Sequence, residues 1–151
     1  MMFEDVIRER TATRSFKDKK VEKEKIIKIL EAGRLAPTAK NKQPQKIIVV
    51  TSDEGLNKID TISPCRYNAQ TVLVVCSNKD IAFKMDNYST YEIDACIVAT
   101  HMMLEATNLG IDNIWIEMFD KKKLKQVFNL NDNIEPICLL PIGYRSDDCP
   151  K

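Results

Sequence analysis

Two short apolar runs, residues 47–50 (IleIleValVal) and 72–76 (ValLeuValValCys), constrain most what this chain can fold into. Neither alternates with polar residues, as a strand with one wet face would. Continuous β-branched runs of this length read as strands covered on both faces, so the chain must supply helices to cover a sheet. The helical candidates are present. Phe3, Val6, Ile7 and Arg10 follow helical spacing, so a first helix ends near Arg10. Residues 23–35 carry Ile26, Ile27 and Leu30 on a stripe, and residues 53–60 form a shorter stretch on Leu56 and Ile59. The longest candidate spans 92–109, with Ile93, Ile97 and Leu104 on one stripe, Cys96, Ala99, Met103 and Ala106 beside it, and Gly110 as its stop. Asp120 is placed to cap a helix over 121–128, with Leu124, Val127 and Phe128 facing inward. Residues 113–118 and 137–144 supply two more strands, 63–67 with Pro64 read as loop, and 78–89 reads as a polar, mobile excursion.

The order is then ααβ(α)βαβαβ in one domain of 151 residues. It predicts an α+β fold, a sheet sandwiched by helices. A doubly wound nucleotide fold fits less well: no G-x-G-x-x-G follows a strand, and the chain has only 4 glycines. Lys+Arg of 23 against Asp+Glu of 22 leaves no global field to favour nucleic acid or a membrane surface. No apolar run approaches the ~20 residues of a membrane span, and the N-terminus lacks a signal peptide's pattern, so a cytoplasmic location is expected. Five cysteines without a C-x-x-C pair suit a reducing compartment, with Cys76, Cys96 and Cys138 as small buried residues. His101 is the single histidine and falls on the stripe with Ile97 and Leu104, which makes it a core or interface residue. Zinc and Ser-His-Asp chemistry have almost no material to work with.

Two polar segments carry what chemistry the sequence shows. Residues 34–45 pack Pro37, Thr38, Ala39, Asn41, Gln43 and Pro44 between a helix and a strand. On their own they are an ordinary connection. They also offer hydroxyl, amide and backbone N–H groups on a stiff turn, which suits a flat, heteroatom-rich ligand. Residues 8–16 set Arg8, Arg10 and Arg14 among Thr11, Ala12, Thr13 and Ser15. Such a cluster is either a solvated face or a phosphate-monoester site.

Taken together, the segments resemble the FMN-dependent nitroreductase family. The run from Arg10 to Phe16 is similar to its Arg-x-Ser-x-Arg-x-Phe element, and the run from Pro37 to Pro44 to its Pro-Ser-x-x-Asn-x-Gln-Pro element. Residues 91–120 look like the family's central helix and the strand end that follows it, and ProIleGlyTyr at 141–144 looks like its last core strand. The likeness thus runs in order through nearly the whole chain.

The resemblance implies a mainly antiparallel, nitroreductase-like fold and a homodimer with FMN in each of two clefts between subunits. Arg10 and Arg14 would grip the 5′-phosphate and ribityl end, with Thr11 and Ala12 adding backbone contacts. Ala12 stands where the family has serine, leaving Thr13 or Ser15 to substitute. Pro37, Thr38, Ala39 and Asn41 of the partner subunit would border the ring and ribityl chain, with Gln43 near the ring's polar edge. Ile116 and Glu117 match the strand end whose backbone N–H approaches the reactive ring nitrogen, and Met118 stands where many relatives have glycine. Lys151 is either a shortened equivalent of a basic phosphate ligand in the family's tail or a loose terminus. With no side chain cast as acid or base, the implied activity is ping-pong transfer of reducing equivalents from NADH or NADPH to a small acceptor: a nitroaromatic, a quinone or a flavin. Another superfamily reaction, such as dehalogenation or flavin fragmentation, and a flavin-binding module with little turnover stay open.

Overall fold

The computed structural model describes residues 1–151. Its centre is β2 (Thr71–Asn78), buried along nearly its whole length, paired antiparallel with β1 (Gln45–Val50) on one side and β6 (Ile134–Gly143) on the other. A short β5 (Asp112–Asn113) completes the sheet in the order β1-β2-β6-β5. Alternation along β2 divides the core in two. Leu73 and Val75 face α2 (Lys23–Leu35) and α4 (Tyr91–Asn108), with Ile26, Ile29, Ala95, Val98 and Met102 packed on them. Val72, Val74 and Cys76 face α3 (Asp53–Ile62) and α5 (Lys121–Val127), through Leu56, Ile59, Ile62 and Leu124. The expected sandwich of helices around an antiparallel sheet is therefore what forms. α2 lies close on α4, because a Cβ on Gly33 would stand 2.8 Å from Met102 Cγ. Gly110, at φ +73°, ends α4 in the left-handed conformation that glycine tolerates best. The Asp120 carboxylate caps α5 by accepting from Lys123 N–H at 2.9 Å. No helix is long and apolar enough to cross a membrane.

Four expectations need correction. β1 is an edge strand with uneven cover: Ile47 packs on one core layer and Ile48 and Val50 on the other, but Val49 is 38% exposed. In α4 the face turned to the core is Ala95, Val98, Ala99, Met102, Met103 and Ala106, whereas Ile93 is 57% exposed and Ile97 and Leu104 lie at the margin. Ala95, Ala99 and Ala106 let α4 approach the sheet, Val98, Met102 and Met103 fill the space between, and Ile93 is left on the outside. Residues 113–118 do not form one strand. The pairing of Asn113 with Ile142 resumes only as a bridge between Ile116 and Leu139. Between them Ile114 N–H donates to Pro141 O at 3.2 Å, and proline has no N–H to return. The excursion at 78–89 holds a small hairpin, β3 (Lys84–Met85) with β4 (Tyr88–Ser89). α1 (Phe3–Glu9) ends as expected just before Arg10, but buries only Val6.

Candidate functional site

The segment after α1 is laid down by Asn113. Its side-chain N–H₂ donates to Met103 O at 3.2 Å and Thr107 Oγ1 at 3.1 Å in the last turns of α4. Its carbonyl accepts Thr13 N–H at 3.1 Å, so the segment runs beside β5 as a single parallel bridge at Ala12. Alternation then buries Thr13 and exposes Ala12 and Arg14; it breaks at Ser15, beyond which Phe16 is buried, while Arg10 is half-buried. Of the chain's arginines, Arg8, Arg34, Arg66 and Arg145 pair with Glu4, Glu31, Asp60 and Asp112. Only Arg10 and Arg14 have no carboxylate. The N–H groups of Thr11, Ala12 and Arg14 also lack an acceptor within the chain. Two neighbouring hydroxyls follow Ala12 on the segment. Thr13 is fully buried, and Ser15 Oγ is paired with Ser146 Oγ at 2.7 Å.

The loop expected at 63–67, to which the sequence assigns no part in the site, joins this segment to the strand end at 116–118. Phe16 N–H donates to Tyr67 O at 3.0 Å, and Asn68 returns a side-chain N–H to Phe16 O at 3.0 Å. Tyr67 and Asn68 adopt positive φ (52° and 65°) to do so. The Tyr67 hydroxyl is pushed up chiefly by its hydrogen bond with Cys65 and by burial, while Arg14 beside it works in the opposite sense. From the same loop Ser63 Oγ donates to Met118 O at 2.7 Å. The expected phosphate segment and the expected strand end thus share one wall. Ile116 N–H is committed to Leu139 O at 2.9 Å, so of the two matched positions only Glu117 keeps a free backbone N–H. The Glu117 carboxylate accepts from Trp115 Nε1 at 2.7 Å, and it joins burial in pushing the Cys96 thiol up. Met118, 67% exposed, stands over this end.

The turn at 37–44 lies elsewhere. Thr38 Oγ1 accepts Gln43 N–H at 3.0 Å, and Gln43 Nε2 donates to Asn41 Oδ1 at 2.8 Å, which leaves the Asn41 N–H₂ free to donate outward. Lys40, Asn41 and Gln43 hold positive φ of 55°, 51° and 50°, a strain of roughly 1 kcal/mol or more each that persists only where surroundings enforce it. Ala39 N–H is held by Asp94 Oδ1 at 2.9 Å, in the first turn of α4. Nine or more residues of helix separate Asp94 from the Asn113 anchors at Met103 and Thr107, about 13–20 Å at ~1.5 Å per residue. One chain therefore does not join the two groups of site residues by any hydrogen bond or ion pair.

Besides Ser63, Tyr67 and Asp94, the reading of the sequence missed Arg145. Its guanidinium holds Asp112 at 3.2 Å, Thr11 Oγ1 at 2.7 Å and Pro150 O at 2.6 Å, fixing the chain end against the arginine segment. Its place directly after GlyTyr was the available signal. Lys151 pairs with Glu9, lowering that carboxyl, and so sits one residue from Arg10.

The nitroreductase family model matches residues 7–63 and 63–144. A nitroreductase family protein from Clostridium difficile 630 superposes with a TM-score of 0.96 at 38% identity, over 100% of this chain and 88% of that one. An Archaeoglobus fulgidus protein provisionally named NADH dehydrogenase/NAD(P)H nitroreductase is 30% identical over 92% of this chain and 83% of its own length. A complex with FMN from Exiguobacterium sibiricum 255-15 shares the fold, with a TM-score of 0.86 at 22% identity, over 97% of this chain and 90% of that one. Motif order, sheet topology and these likenesses agree: the chain belongs to the nitroreductase family.

Proposed function

We propose that this protein is an FMN-dependent oxidoreductase that passes reducing equivalents from NADH or NADPH to small electron-deficient acceptors. The observation that carries the reading is the pair Arg10 and Arg14, the only arginines without an acid, on a segment with free backbone N–H groups. That donor set fits a phosphate monoester. Arg10, Arg14 and the N–H groups of Thr11 and Ala12 hold the phosphate end, and the Glu117 N–H is left to meet a ring nitrogen. Pro37, Thr38, Ala39, Asn41 and Gln43 close the site from a second copy, because within one chain they lie along the helix from the arginines.

The same reading accounts for apolar surface that one chain leaves open. Phe3, Ile7, Leu35 and Ile93 are 67%, 53%, 66% and 57% exposed; Ile93 shares a hollow on α4 with Ile97 and His101, and Phe3 lines a second one with His101. A homodimer that covers this face buries on the order of 2,000 Å² or more. When bound, FMN supplies the two-electron relay that no side chain here offers. The protein contributes position, a donor at Glu117 N–H, and a cleft used in turn by reductant and acceptor. Ping-pong turnover follows. Planarity and electron deficiency decide which acceptor enters, so nitroaromatics, quinones and free flavins are all candidates. Steady-state rates at several fixed NADH concentrations are expected to give parallel double-reciprocal lines as a nitroaromatic is varied. Intersecting lines would require a ternary complex and would overturn the shared cleft.

A further inference from the structure

Asp94 is a carboxylate 1% exposed, and no lysine, arginine or histidine pairs with it. Burying such a charge is costly unless its oxygens are well used. Both are. Oδ1 accepts Ala39 N–H at 2.9 Å from the strained turn, and Oδ2 accepts Thr90 Oγ1–H at 2.9 Å. Thr90 N–H in turn donates to Phe83 O at 3.0 Å, at the base of the β3–β4 hairpin. Asp94 also stands in the first turn of α4, where the helix N-terminus favours negative charge. A single buried group therefore ties the turn at 37–43 to the hairpin at 84–89, two exposed segments about fifty residues apart in sequence.

We propose that Asp94 is a positioning residue: with Thr90 it holds the Ala39–Asn41 turn in its left-handed conformation and makes turn and hairpin one unit. This rests on the reading above that the turn borders the flavin. Asparagine can do the same work, since its Oδ1 still accepts Ala39 N–H and its N–H₂ can donate to Thr90 Oγ1, freeing that hydroxyl to donate to Phe83 O, already 3.3 Å away. Alanine cannot. Valine at position 90 keeps the carboxylate but removes the hydroxyl that joins it to the hairpin.

The test is residue-resolved amide exchange on the flavin-free protein, followed by FMN titration. Asp94→Ala is expected to speed Ala39 N–H exchange about tenfold or more, the scale of one lost hydrogen bond. It is also expected to weaken FMN about tenfold, with Asp94→Asn restoring both. Thr90→Val is expected to speed Ala39 exchange as well, which decides the matter should Asp94→Ala fail to fold. Wild-type Ala39 exchange in both Asp94→Ala and Thr90→Val would overturn the proposal, as would failure of Asp94→Asn to rescue. If the wild-type protein does not take up FMN, the functional reading falls, and the exchange rates still decide whether Asp94 holds the turn.

Discussion

Replacing Arg14 by alanine removes a cation that no carboxylate of the chain holds, from an exposed position on a segment pinned by the neighbouring Thr13 and Phe16. Folding stability is therefore expected to change by no more than about 0.5 kcal/mol. Binding is another matter. One charge-assisted hydrogen bond to phosphate contributes roughly 1.5–3 kcal/mol, which converts to about a ten- to hundredfold rise in Kd. Riboflavin, identical except for the phosphate, is expected to lose little. Side-by-side fluorescence titrations of wild type and Arg14→Ala with FMN and riboflavin measure both. Arg8→Ala is the control, because its guanidinium is spent on Glu4 at 2.6 Å and its loss is expected to leave FMN affinity unchanged. Equal weakening for FMN and riboflavin would remove Arg14 from the phosphate site. A large drop in thermal stability would show that the arginine is structural.

Other outcomes follow from the same geometry. Ile97→Glu places a charge on the open α4 face, and sedimentation equilibrium is expected to show monomers where wild type is a dimer; a variant that stays dimeric would move the interface elsewhere. Trp115, the single tryptophan, is hydrogen-bonded to Glu117 at the strand end, so FMN is expected to quench its fluorescence strongly; unchanged emission at saturating FMN would place the flavin away from Glu117. Burial pushes the Cys76 thiol up to about 12, whereas an unfolded thiol titrates near ~8.5. The folded thiol keeps its proton after the unfolded one has lost it, so stability falls as pH rises through that window. Urea midpoints are expected to drop between about pH 7.5 and about pH 10, and to drop less in Cys76→Ala; equal drops would exclude Cys76 as a contributor.

Much of the fold was legible because local signals and tertiary packing agree. The apolar runs, the Asp120 cap and the Gly110 stop each point to one structure, and β2, α4 and α5 form where they should. The α4 stripe was misread because hydrophobicity does not say which apolar face meets the sheet. Alanines, Val98 and the two methionines pack inward, and Ile93 is left on the outside. The break at 113–118 depends on Pro141 in a strand some twenty-five residues later, so nothing local announces it. At the site, Arg10, Arg14 and the turn carry recognisable patterns. Ser63, Tyr67 and Asp94 do not, because they act through hydrogen bonds to backbone atoms distant in sequence. The availability of the Glu117 N–H, against the committed Ile116 N–H, emerges only once the register with Leu139 is fixed.

The central claim, a protein that holds FMN and lets a nicotinamide reduce it, is tested most directly by the visible absorption of the purified protein under anaerobic conditions. The protein, as isolated or after addition of FMN and removal of the excess, is expected to show bound-flavin absorption, and NADH or NADPH is expected to bleach it. A protein that retains no flavin after that treatment, or a bound flavin that neither nicotinamide bleaches, would contradict the account.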